Sequence, residues 1–365
     1  MKTRAAVLWE RGQPLSIEEV ELSPPGPGEV LVEMKAAGVC HSDLHPAHDD
    51  WPIRTPIVLG HEGAGIVREV GSGVTRLKPG DHVVLCWAPA CGVCSYCLEG
   101  RAVLCDRLDR TTYRNKLPNG STRLRARDQD LAHFLSTACF AEHAVVAEEG
   151  VVPVGDGVPF DALATVGCAV VTGVGAVTAN RPPRGSSVAI IGAGGVGLNV
   201  AQGAAIAGCE RIIAIDRHAA PLQIARSFGA TDTIEAPAKI GDAVRETTAG
   251  RGADFVFDTV GTPHTLTEAL AAARKGGTVV LTGLSRIDAV GPVPMFPFVM
   301  QEKRLIGSAY GSGRPPEDIR RLVGWFKEGR LKLRELVNRT YELSQVNEAL
   351  GALAAGQGAR GVILL

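Results

Sequence analysis

One stretch decides the fold: Ser187-Val188-Ala189-Ile190-Ile191-Gly192-Ala193-Gly194-Gly195-Val196-Gly197. It joins a short apolar run to glycines with G-x-G-x-x-G spacing, and a helix-like segment continues to Gly208. Glycines permit a tight turn, and they let backbone N–H groups approach a pyrophosphate at a helix N-terminus, where the helix dipole favours anions. The stretch therefore predicts a strand, a phosphate-binding turn and a helix.

The next apolar run ends on an acid that strengthens this prediction. The run from Arg211 to Ile215 is followed by Asp216, nineteen residues after Gly197. A carboxylate there would accept hydrogen bonds from the adenosine ribose and repel a 2′-phosphate, which predicts a dinucleotide site that prefers NAD to NADP. Arg217 is the counter-argument, because an arginine beside the acid can accommodate that phosphate.

The chain on either side of this stretch has two textures. Apolar runs at Phe255–Asp258 and Thr278–Leu281 alternate with helical stretches, which is typical of a parallel sheet covered on both faces. Residues 1 to about 160 carry short β-like runs separated by Gly- and Pro-rich turns, so they predict a β-rich, partly barrel-like unit. A chain of 365 residues is too long for one ordinary core, and two domains are expected.

Four cysteines lie within fifteen residues, at Cys91, Cys94, Cys97 and Cys105. Four thiolates at this spacing can form a tetrahedron around Zn²⁺ and leave no coordination position open, which is the pattern of a structural zinc. A disulfide knot and an iron–sulfur cluster are the alternatives.

A second set of metal ligands is spread along the chain. Cys40, His61 and Cys168 supply two thiolates and an imidazole, and Asp43 is the natural acceptor to orient the His61 ring. Each cysteine alone would be interpreted as a small buried hydrophobe. Together with the four-cysteine loop and the dinucleotide pattern, they predict a catalytic zinc with one exchangeable position, and hence two zinc ions per chain.

Composition narrows the class of protein. A chain that is 45% hydrophobic and 21% charged is typical of a soluble globular protein, and a net charge of −1 gives no reason to expect nucleic acid or a membrane surface as partner. The uncharged residues 162–179 contain three glycines, which favours a buried core segment over a membrane span. The first residues lack a leader-like apolar run, and most of the nine cysteines have metal-like spacing, so a cytoplasmic setting is expected.

Taken together, the motifs resemble the long-form, zinc-dependent medium-chain alcohol dehydrogenases over the whole chain. The resemblance is carried by Gly38-Val39-Cys40-His41-Ser42-Asp43, Gly60-His61-Glu62-Gly63-Ala64-Gly65, the four-cysteine loop, Gly167-Cys168, Gly192 to Gly197, and Gly358-Ala359-Arg360-Gly361-Val362. It implies an α/β fold in which a doubly wound parallel-sheet (Rossmann) nucleotide domain, residues 170–308, is inserted into a β-rich, partly barrel-like catalytic domain, residues 1–169 and 309–365. It also implies a homodimer, with a tetramer as the alternative.

The reaction implied by this resemblance is the reversible oxidation of a primary alcohol to an aldehyde, by hydride transfer from a zinc-bound alkoxide to NAD. Ser42 would take the hydroxyl proton and pass it toward His45, while Glu62 would lie behind the catalytic zinc. The same resemblance assigns further cofactor contacts to His41, Thr172, Val196 and Arg360.

The substrate is the least defined part of the prediction. The resemblance implies a cleft lined by Trp51, Trp87, Phe134, Leu135 and Leu284. Aromatic and aliphatic walls favour an apolar aliphatic or aromatic alcohol. An S-(hydroxymethyl)glutathione-type dehydrogenase is an alternative, although that branch typically carries Thr and Tyr where this chain has Ser42 and His45.

Other interpretations of the same residues stay open at this point. An enzyme that retains its NAD and passes electrons to an external acceptor would carry the same glycine motif. A zinc-free quinone or enoyl reductase has no use for the second metal set, and a redox-sensing or structural zinc protein needs only the four-cysteine loop. A basic cluster is either a solvated or subunit-facing surface or an anion-attracting rim: Arg107, Arg110, Arg114, Lys116, Arg123, Arg125 and Arg127.

Overall fold

The computed structural model describes residues 1–236 and 239–365, which form two compact units. The first unit combines Met1–Cys168 with Gly313–Leu365, and the second unit is Ala169–Ser312. The chain therefore leaves the first unit after Cys168 and returns to it at Gly313, against expected boundaries after residues 169 and 308.

The strands are numbered in chain order. They are β1 (Lys2–Leu8), β2 (Ser16–Leu22), β3 (Glu29–Gly38), β4 (Ile57–Val58), β5 (Glu62–Val70), β6 (His82–Leu85), β7 (Leu124–Ala126), β8 (Gln129–His133), β9 (His143–Ala147), β10 (Val151–Pro153), β11 (Ser187–Ile191), β12 (Arg211–Asp216), β13 (Asp232–Glu235), β14 (Ala253–Asp258), β15 (Ala273–Leu281), β16 (Arg304–Gly307), β17 (Val337–Glu342) and β18 (Arg360–Leu364).

The helices are also numbered in chain order. They are α1 (His41–Ala47), α2 (Ser95–Leu98), α3 (Asp106–Arg110), α4 (Phe160–Thr165), α5 (Val171–Asn180), α6 (Gly195–Ala207), α7 (Ala219–Ser227), α8 (Ile240–Thr247), α9 (Pro263–Ala272), α10 (Met295–Met300), α11 (Pro315–Lys327) and α12 (Val346–Ala354). Both α9 and α11 begin at a proline, whose fixed φ suits the first helical position.

The first unit is built from β-sheet. Strands β1, β2, β7, β8 and β4 close a barrel, and β10, β6, β5, β3, β18 and β17 form a larger sheet in which β9 also pairs with β3. The C-terminal strand β18 lies antiparallel to β3, with Val362 opposite Gly38 and Leu364 opposite Ala36. Both ends of the chain therefore contribute to one sheet, and the start of β18 lies beside the end of β3.

The second unit is a six-stranded sheet in the order β13-β12-β11-β14-β15-β16, with every neighbouring pair parallel. This is the 3-2-1-4-5-6 order of a doubly wound nucleotide-binding fold, so the predicted fold class is confirmed. The apolar faces of α8 and α9 cover one side of the sheet, where Val244 and Leu270 join a core with Ile213 and Val256. The glycine-rich turn follows β11, at the point where the strand order reverses.

The uncharged segment is helical and buried. Residues Phe160–Asn180 are long and apolar enough to cross a membrane by length and composition, but 89% of the apolar window is buried within the protein. A π-helical turn at Val166–Val170 joins α4 to α5 and contains Cys168. Burial to this extent is that of a core helix, as predicted, and the π-turn is a local feature that hydrophobic periodicity does not indicate.

Two glycines let α6 start directly against the end of β11. Gly192 has a φ of +93°, in the left-handed region that favours glycine. A Cβ at Gly197 would lie 1.8 Å from the carbonyl oxygen of Gly192, so this turn of the helix can approach the strand only without a side chain. Gly194 differs, because a Cβ there would meet nothing within 4 Å.

Gly197→Ala is expected to lower the free energy of unfolding by about 1–3 kcal/mol, because the added methyl group must displace backbone atoms. Gly194→Ala, in the same turn, is the matched control and should change it by less than about 0.5–1 kcal/mol. Denaturant unfolding of both variants measures the difference, and equal stability would contradict the close contact at Gly197.

Candidate active site

The four-cysteine loop brings its sulfur atoms together. The Sγ atoms of Cys91, Cys94, Cys97 and Cys105 all lie within 4.8 Å of one another, and the four residues are free thiols. Four sulfurs about 2.3 Å from a tetrahedral Zn²⁺ are about 3.8 Å apart. The Sγ atom of Cys97 lies 3.5 Å from that of Cys94 and 4.0 Å from that of Cys91. The geometry fits one four-coordinate ion.

Backbone N–H groups donate to two of these sulfurs. The N–H of Cys94 donates to the Sγ atom of Cys91 at 3.4 Å, and the N–H of Cys91 donates to that of Cys105 at 3.2 Å. Donors led by the N–H of Val93 lower the pKa of Cys91 to about 6. Burial instead raises the pKa of Cys97 to about 12 and also raises that of Cys105, so a metal ion would have to displace the protons of these two thiols.

The second set of ligands is also assembled. Cys40, His61, Glu62 and Cys168 each bring one ligand atom into a group within 4.8 Å, and all four residues are buried. Cys40 lies between β3 and α1, His61 immediately precedes β5, and Cys168 lies in the π-helical turn. The buried Nε2 atom of His61 and Oε2 atom of Glu62 have no hydrogen-bond partner among the described residues. Two thiols beside an unpartnered imidazole nitrogen are a donor set that fits Zn²⁺.

Asp43 orients this cluster, as the sequence predicted. It is fully buried, and its Oδ1 atom lies 3.0 Å from the Nδ1 atom of His61. The same carboxylate accepts the N–H of Gly60 and, through Oδ2, the N–H of Cys40, each at 3.1 Å. With Nδ1 occupied by Asp43, Nε2 is the imidazole nitrogen left to face the cysteines.

A buried ion pair closes the back of the cluster. The Nη2 atom of Arg360 donates to Oε1 of Glu62 at 2.8 Å, and Nη1 donates to the carbonyl oxygen of Val39 at 2.9 Å. Arg360 is 3% exposed and its Nε atom has no partner among the described residues. The sequence assigned Arg360 to the cofactor and did not anticipate this pair, and its cofactor role stays a prediction.

Helix α1 carries the predicted proton path. Ser42 and His45 are three residues apart, so they share one face of the helix. The Nδ1 atom of His45 lies 3.1 Å from Oδ2 of Asp50, and its ring stacks on Trp51 with 4.6 Å between the ring centroids. His41 begins the helix and is exposed.

The residues predicted to line the substrate cleft differ in their surroundings. Phe134 is buried and its ring meets the His61 ring edge-on, with 5.7 Å between the centroids. Leu135 follows it, partly buried against the same core, and Trp87 is half-buried. Leu284 belongs to the second unit, where it is 62% exposed. Phe134 thus contacts a candidate metal ligand directly.

The predicted nucleotide residues of the second unit surround its glycine-rich turn. Asp216 accepts the N–H of Ala193 through Oδ2 at 2.8 Å, so its carboxylate lies beside that turn. Val196 is half-buried in the first turn of α6, Thr172 is buried in α5, and Arg217 is exposed. The acid at the end of β12 and the turn after β11 are therefore in direct contact.

Comparison with known proteins agrees with this chemistry. The family described as "Alcohol dehydrogenase GroES-like domain" matches residues 26–156, and "Zinc-binding dehydrogenase" matches residues 195–328. A protein named "Putative alcohol dehydrogenase D" from Mycobacterium tuberculosis is 44% identical to this chain over 100% of both. The chain belongs to the zinc-dependent medium-chain alcohol dehydrogenases.

Two further proteins are similar to this dehydrogenase over nearly their whole length. The NDMA-dependent alcohol dehydrogenase of Amycolatopsis methanolica is 41% identical, over 100% of this chain and 99% of that protein. The crystal structure of benzyl alcohol dehydrogenase from Acinetobacter calcoaceticus matches with a TM-score of 0.93 and 30% identity, over 100% of this chain and 99% of the other. The enzyme is therefore an oxidoreductase that acts on alcohols, and the zinc-free reductase and purely structural alternatives no longer apply.

The electrostatics of the dehydrogenase's buried cluster favour a bound cation. The hydrogen bond from Cys168 lowers the pKa of Cys40 well below its usual range, and the same bond, with burial, raises the pKa of Cys168. Burial lowers the pKa of His61, but Asp43 and Cys40 outweigh it and leave that pKa well above its usual value. Burial raises the pKa of Glu62 to about 8. Protons held here are the ones that a metal ion would displace.

Part of the dehydrogenase's basic cluster is used in ion pairs. Arg107 pairs with Glu149 at 3.1 Å and Arg123 with Glu29 at 2.7 Å. Arg127 pairs with Glu18 at 2.6 Å and lies over the Trp9 ring. Each of these three arginines is therefore already paired with a carboxylate, which argues against their role in an anion-attracting rim.

Sequence reasoning also missed two polar contacts, one in each unit. Asn115, which has a left-handed backbone, accepts the N–H of Leu135 through its Oδ1 atom at 3.1 Å. Asp258 is buried at the end of β14, where its Oδ1 atom accepts the N–H groups of Val260 and Gly261 at 3.0 Å. In the sequence, Asn115 is a polar residue beside a turn and Asp258 is an acid at the end of an apolar strand. Neither pattern predicts which N–H groups the side chain accepts.

Asp43→Asn is expected to weaken zinc binding at the Cys40–His61–Cys168 set about 10–100-fold, because an amide cannot accept all three donors that orient two of the ligands. Asp81→Asn is the matched control, since Asp81 accepts the N–H of Lys78 at an exposed turn. Chelator competition on the zinc-loaded enzyme should show one weakened site of two in the first variant. Wild-type zinc retention in Asp43→Asn would contradict the orienting role.

Proposed function

We propose that this enzyme catalyses the reversible, NAD-dependent oxidation of a primary alcohol, with an apolar aliphatic or aromatic substituent, to the aldehyde. The observation that carries the proposal is the buried Cys40–His61–Cys168 set, in which the Nε2 atom of the imidazole has no partner among the described residues. Three protein donors, with one coordination position to spare, are what an alcohol-binding zinc requires.

Cys40, His61 and Cys168 would hold this catalytic zinc, and Cys91, Cys94, Cys97 and Cys105 a second, structural one. Zinc, when bound, supplies a Lewis acid that makes an alcohol hydroxyl easier to deprotonate near neutral pH. Glu62 would act as a reserve carboxylate behind the ligands, because Arg360 holds one of its oxygens and no described residue hydrogen-bonds to Oε2.

The proton of the alcohol would leave by way of α1. The Ser42 hydroxyl can accept a proton and donate one, and it shares a helical face with His45. Asp50 holds the Nδ1 atom of His45 at 3.1 Å, and the imidazole of His45 would exchange the proton with solvent. The Trp51 ring fixes the plane of the imidazole by stacking against it.

NAD, when bound, supplies the hydride acceptor, and the second unit carries the features that would hold its adenosine side. Gly192, Gly194, Gly195 and Gly197 would let a pyrophosphate approach the N-terminus of α6. Asp216, already tied to this turn through Ala193, would bind the ribose and disfavour NADP. His41, Thr172, Val196, Arg217 and Arg360 are the further cofactor contacts that the family resemblance proposes.

The apolar side of the substrate would contact Phe134, Leu135, Trp51 and Trp87, with Leu284 as a further contact implied by the family. Phe134 lies against a proposed zinc ligand, so a flat or slender alcohol would suit the space beside it better than a bulky one. The similar benzyl alcohol dehydrogenase supports an aromatic alcohol as one substrate.

A second candidate is an enzyme that retains its NAD and passes electrons to an external acceptor. The 41% identical relative named for its dependence on NDMA favours it, and the same glycine turn and acid would serve either mode. Six of the nine cysteines lie in the two sets of candidate metal ligands, which supports the expected reducing, cytoplasmic setting for both.

We also propose a homodimer formed through the second unit. Strand β16 ends the six-stranded sheet and all four of its residues are exposed. Large apolar side chains are exposed on β16 and on the residues before it: Ile287, Val290, Met295, Phe296, Val299, Met300, Leu305 and Ile306. An unpaired apolar edge of this kind is stable in water when a second copy covers it.

The zinc-loaded enzyme is expected to form NADH from added NAD⁺ with ethanol, butanol or benzyl alcohol, and to do so faster than it forms NADPH from NADP⁺. Cys168→Ser should reduce kcat/KM by at least about 100-fold, because it removes a proposed zinc ligand. Cys209→Ser, a half-buried cysteine of the second unit, is the matched control and should leave activity unchanged.

The same panel separates the candidates. Turnover that needs NDMA but no added NAD⁺ would favour the retained cofactor, and preference for S-(hydroxymethyl)glutathione would favour that alternative. Comparing the turnover of neutral and carboxylated alcohols at two salt concentrations tests whether the basic cluster forms an anion-attracting rim. No preference for the charged alcohols would contradict that role. No oxidation of any alcohol by zinc-loaded enzyme, with either acceptor, would contradict the proposed function.

Ile306→Asp is expected to convert a dimer into a monomer of 38.2 kDa, because it places a charge in the middle of the exposed edge. Leu98→Asp is the control and should leave the mass unchanged, because Leu98 lies in the four-cysteine loop and is more exposed than Ile306, at 72% against 38%. Light scattering coupled to size exclusion measures both, and a monomeric wild-type enzyme would refute the proposed interface.

A further inference from the structure

The segment that carries Phe134 and Leu135 has an unusual backbone. Leu135, Ser136 and Ala138 have φ values of 47°, 60° and 56°, in the left-handed region that residues with a Cβ rarely adopt. Such conformations persist only where the surroundings hold them, and they are concentrated at ligand-binding sites. The contacts that hold this segment are therefore relevant to the site beside it.

Asn115 provides the main hold on the left-handed turn. Its Oδ1 atom accepts the N–H of Leu135 at 3.1 Å, and its backbone oxygen accepts the N–H of His133 at 2.9 Å. Asn115 is 5% exposed and is itself left-handed, with a φ of 56°, a conformation that asparagine tolerates better than most residues. One buried residue thus holds both neighbours of Phe134, Leu135 through its side chain and His133 through its backbone.

The neighbours of Asn115 hold the next residue. The Ser136 hydroxyl donates to the carbonyl oxygen of Lys116 at 2.7 Å, and it lies 2.9 Å from the Thr112 hydroxyl. Residues 112–116 therefore form a supporting layer behind residues 133–136. This layer contacts no candidate zinc ligand in these hydrogen bonds.

The candidate ligand His61 is held independently. Asp43 fixes both the His61 ring and the Gly60 N–H, at 3.0 and 3.1 Å. The supporting layer contacts Leu135 and Ser136. Asp43 instead contacts His61, the candidate metal ligand. A change in the layer should therefore move the wall without removing the metal.

We propose that Asn115 is a positioning residue that sets the alcohol specificity of the enzyme by holding the left-handed turn at Leu135. This inference rests on the proposed function, since it takes Phe134 and Leu135 as the wall of the alcohol pocket. Without the side-chain Oδ1 atom of Asn115, the N–H of Leu135 loses its acceptor. The turn then relaxes toward a common backbone conformation.

Asn115→Gly is the direct test, because glycine keeps the left-handed backbone and deletes only the side-chain acceptor. The ratio of kcat/KM for benzyl alcohol to that for ethanol should change about tenfold, the effect of a slightly misfitted hydrophobic pocket. The KM for NAD⁺ and the content of two zinc ions should not change. Asn115→Asp keeps an acceptor oxygen at the same position and should restore the wild-type ratio.

Asn119→Gly is the matched control. Asn119 belongs to the same connection, and its side chain anchors that connection to Glu29 at 2.8 Å without touching residues 133–136. It should leave the specificity ratio unchanged. An equal change in Asn119→Gly, or no rescue by Asn115→Asp, would overturn the proposal. Should Asn115→Gly fail to fold, Ser136→Ala, which removes only the hydroxyl contacts, takes its place. It should also change the specificity ratio from that of the wild-type enzyme.

Amide hydrogen exchange gives a readout that needs no activity. Exchange at residues 133–138 should become faster in Asn115→Gly and stay unchanged in Asn119→Gly. An enzyme that oxidises no alcohol yet shows this exchange pattern would refute the proposed function while leaving the positioning contact supported. Faster exchange with an unchanged specificity ratio would overturn the inference itself.

Discussion

The candidate active site depends on one buried carboxylate. Asp43 is fully buried, and its two oxygens accept from Cys40, Gly60 and His61 at 3.0–3.1 Å. A carboxylate removed from water is tolerated only when donors replace the lost hydration, and three donors do so here. Because two of those donors belong to candidate zinc ligands, satisfying the carboxylate also sets their positions. Gly60 is constrained in turn, since its φ is +87° and a Cβ would lie 2.5 Å from the backbone nitrogen of Phe140.

The C-terminal part of the chain supplies a positive charge to the buried cluster of the first unit. Cys40 and Glu62 can place negative charge in a space without solvent, and Arg360 is the cation that faces them. Arg360 begins β18, which pairs with β3, the strand that leads to Cys40. The C-terminal return of the chain therefore supplies charge as well as a strand. A buried ion pair of this kind adds little net stability, so its value lies in setting the charge around the ligands.

Features with a short sequence signature were predictable, whereas those that depend on distant pairing were not. The four-cysteine loop, the glycine turn and Asp216 could be predicted because spacing along the chain already determines which atoms converge. The Asp43–His61 contact followed from the chemistry of metal-bound histidine. The Arg360–Glu62 pair joins residues 298 positions apart, and the Asn115–Leu135 bond joins residues 20 apart across two irregular turns. No periodicity or motif in the sequence predicts either contact. The same is true of the closure of the barrel by the two-residue strand β4.

The two functions of the site, holding a metal and shaping a pocket, meet at a single residue, Gly60. The N–H of Gly60 donates to Asp43, while its carbonyl oxygen accepts from the Thr137 hydroxyl at 2.9 Å and from the N–H of Cys139 at 3.0 Å. The carbonyl oxygen of Gly60 lies in the planar peptide group that joins Gly60 to His61, so displacement at Thr137 would be felt at the His61 ligand. Asn115 acts on the same segment at Leu135, two residues before Thr137. Its hydrogen bond to Leu135 does not include Gly60. Changes near Thr137 should thus couple specificity to metal binding, whereas changes near Asn115 should separate them.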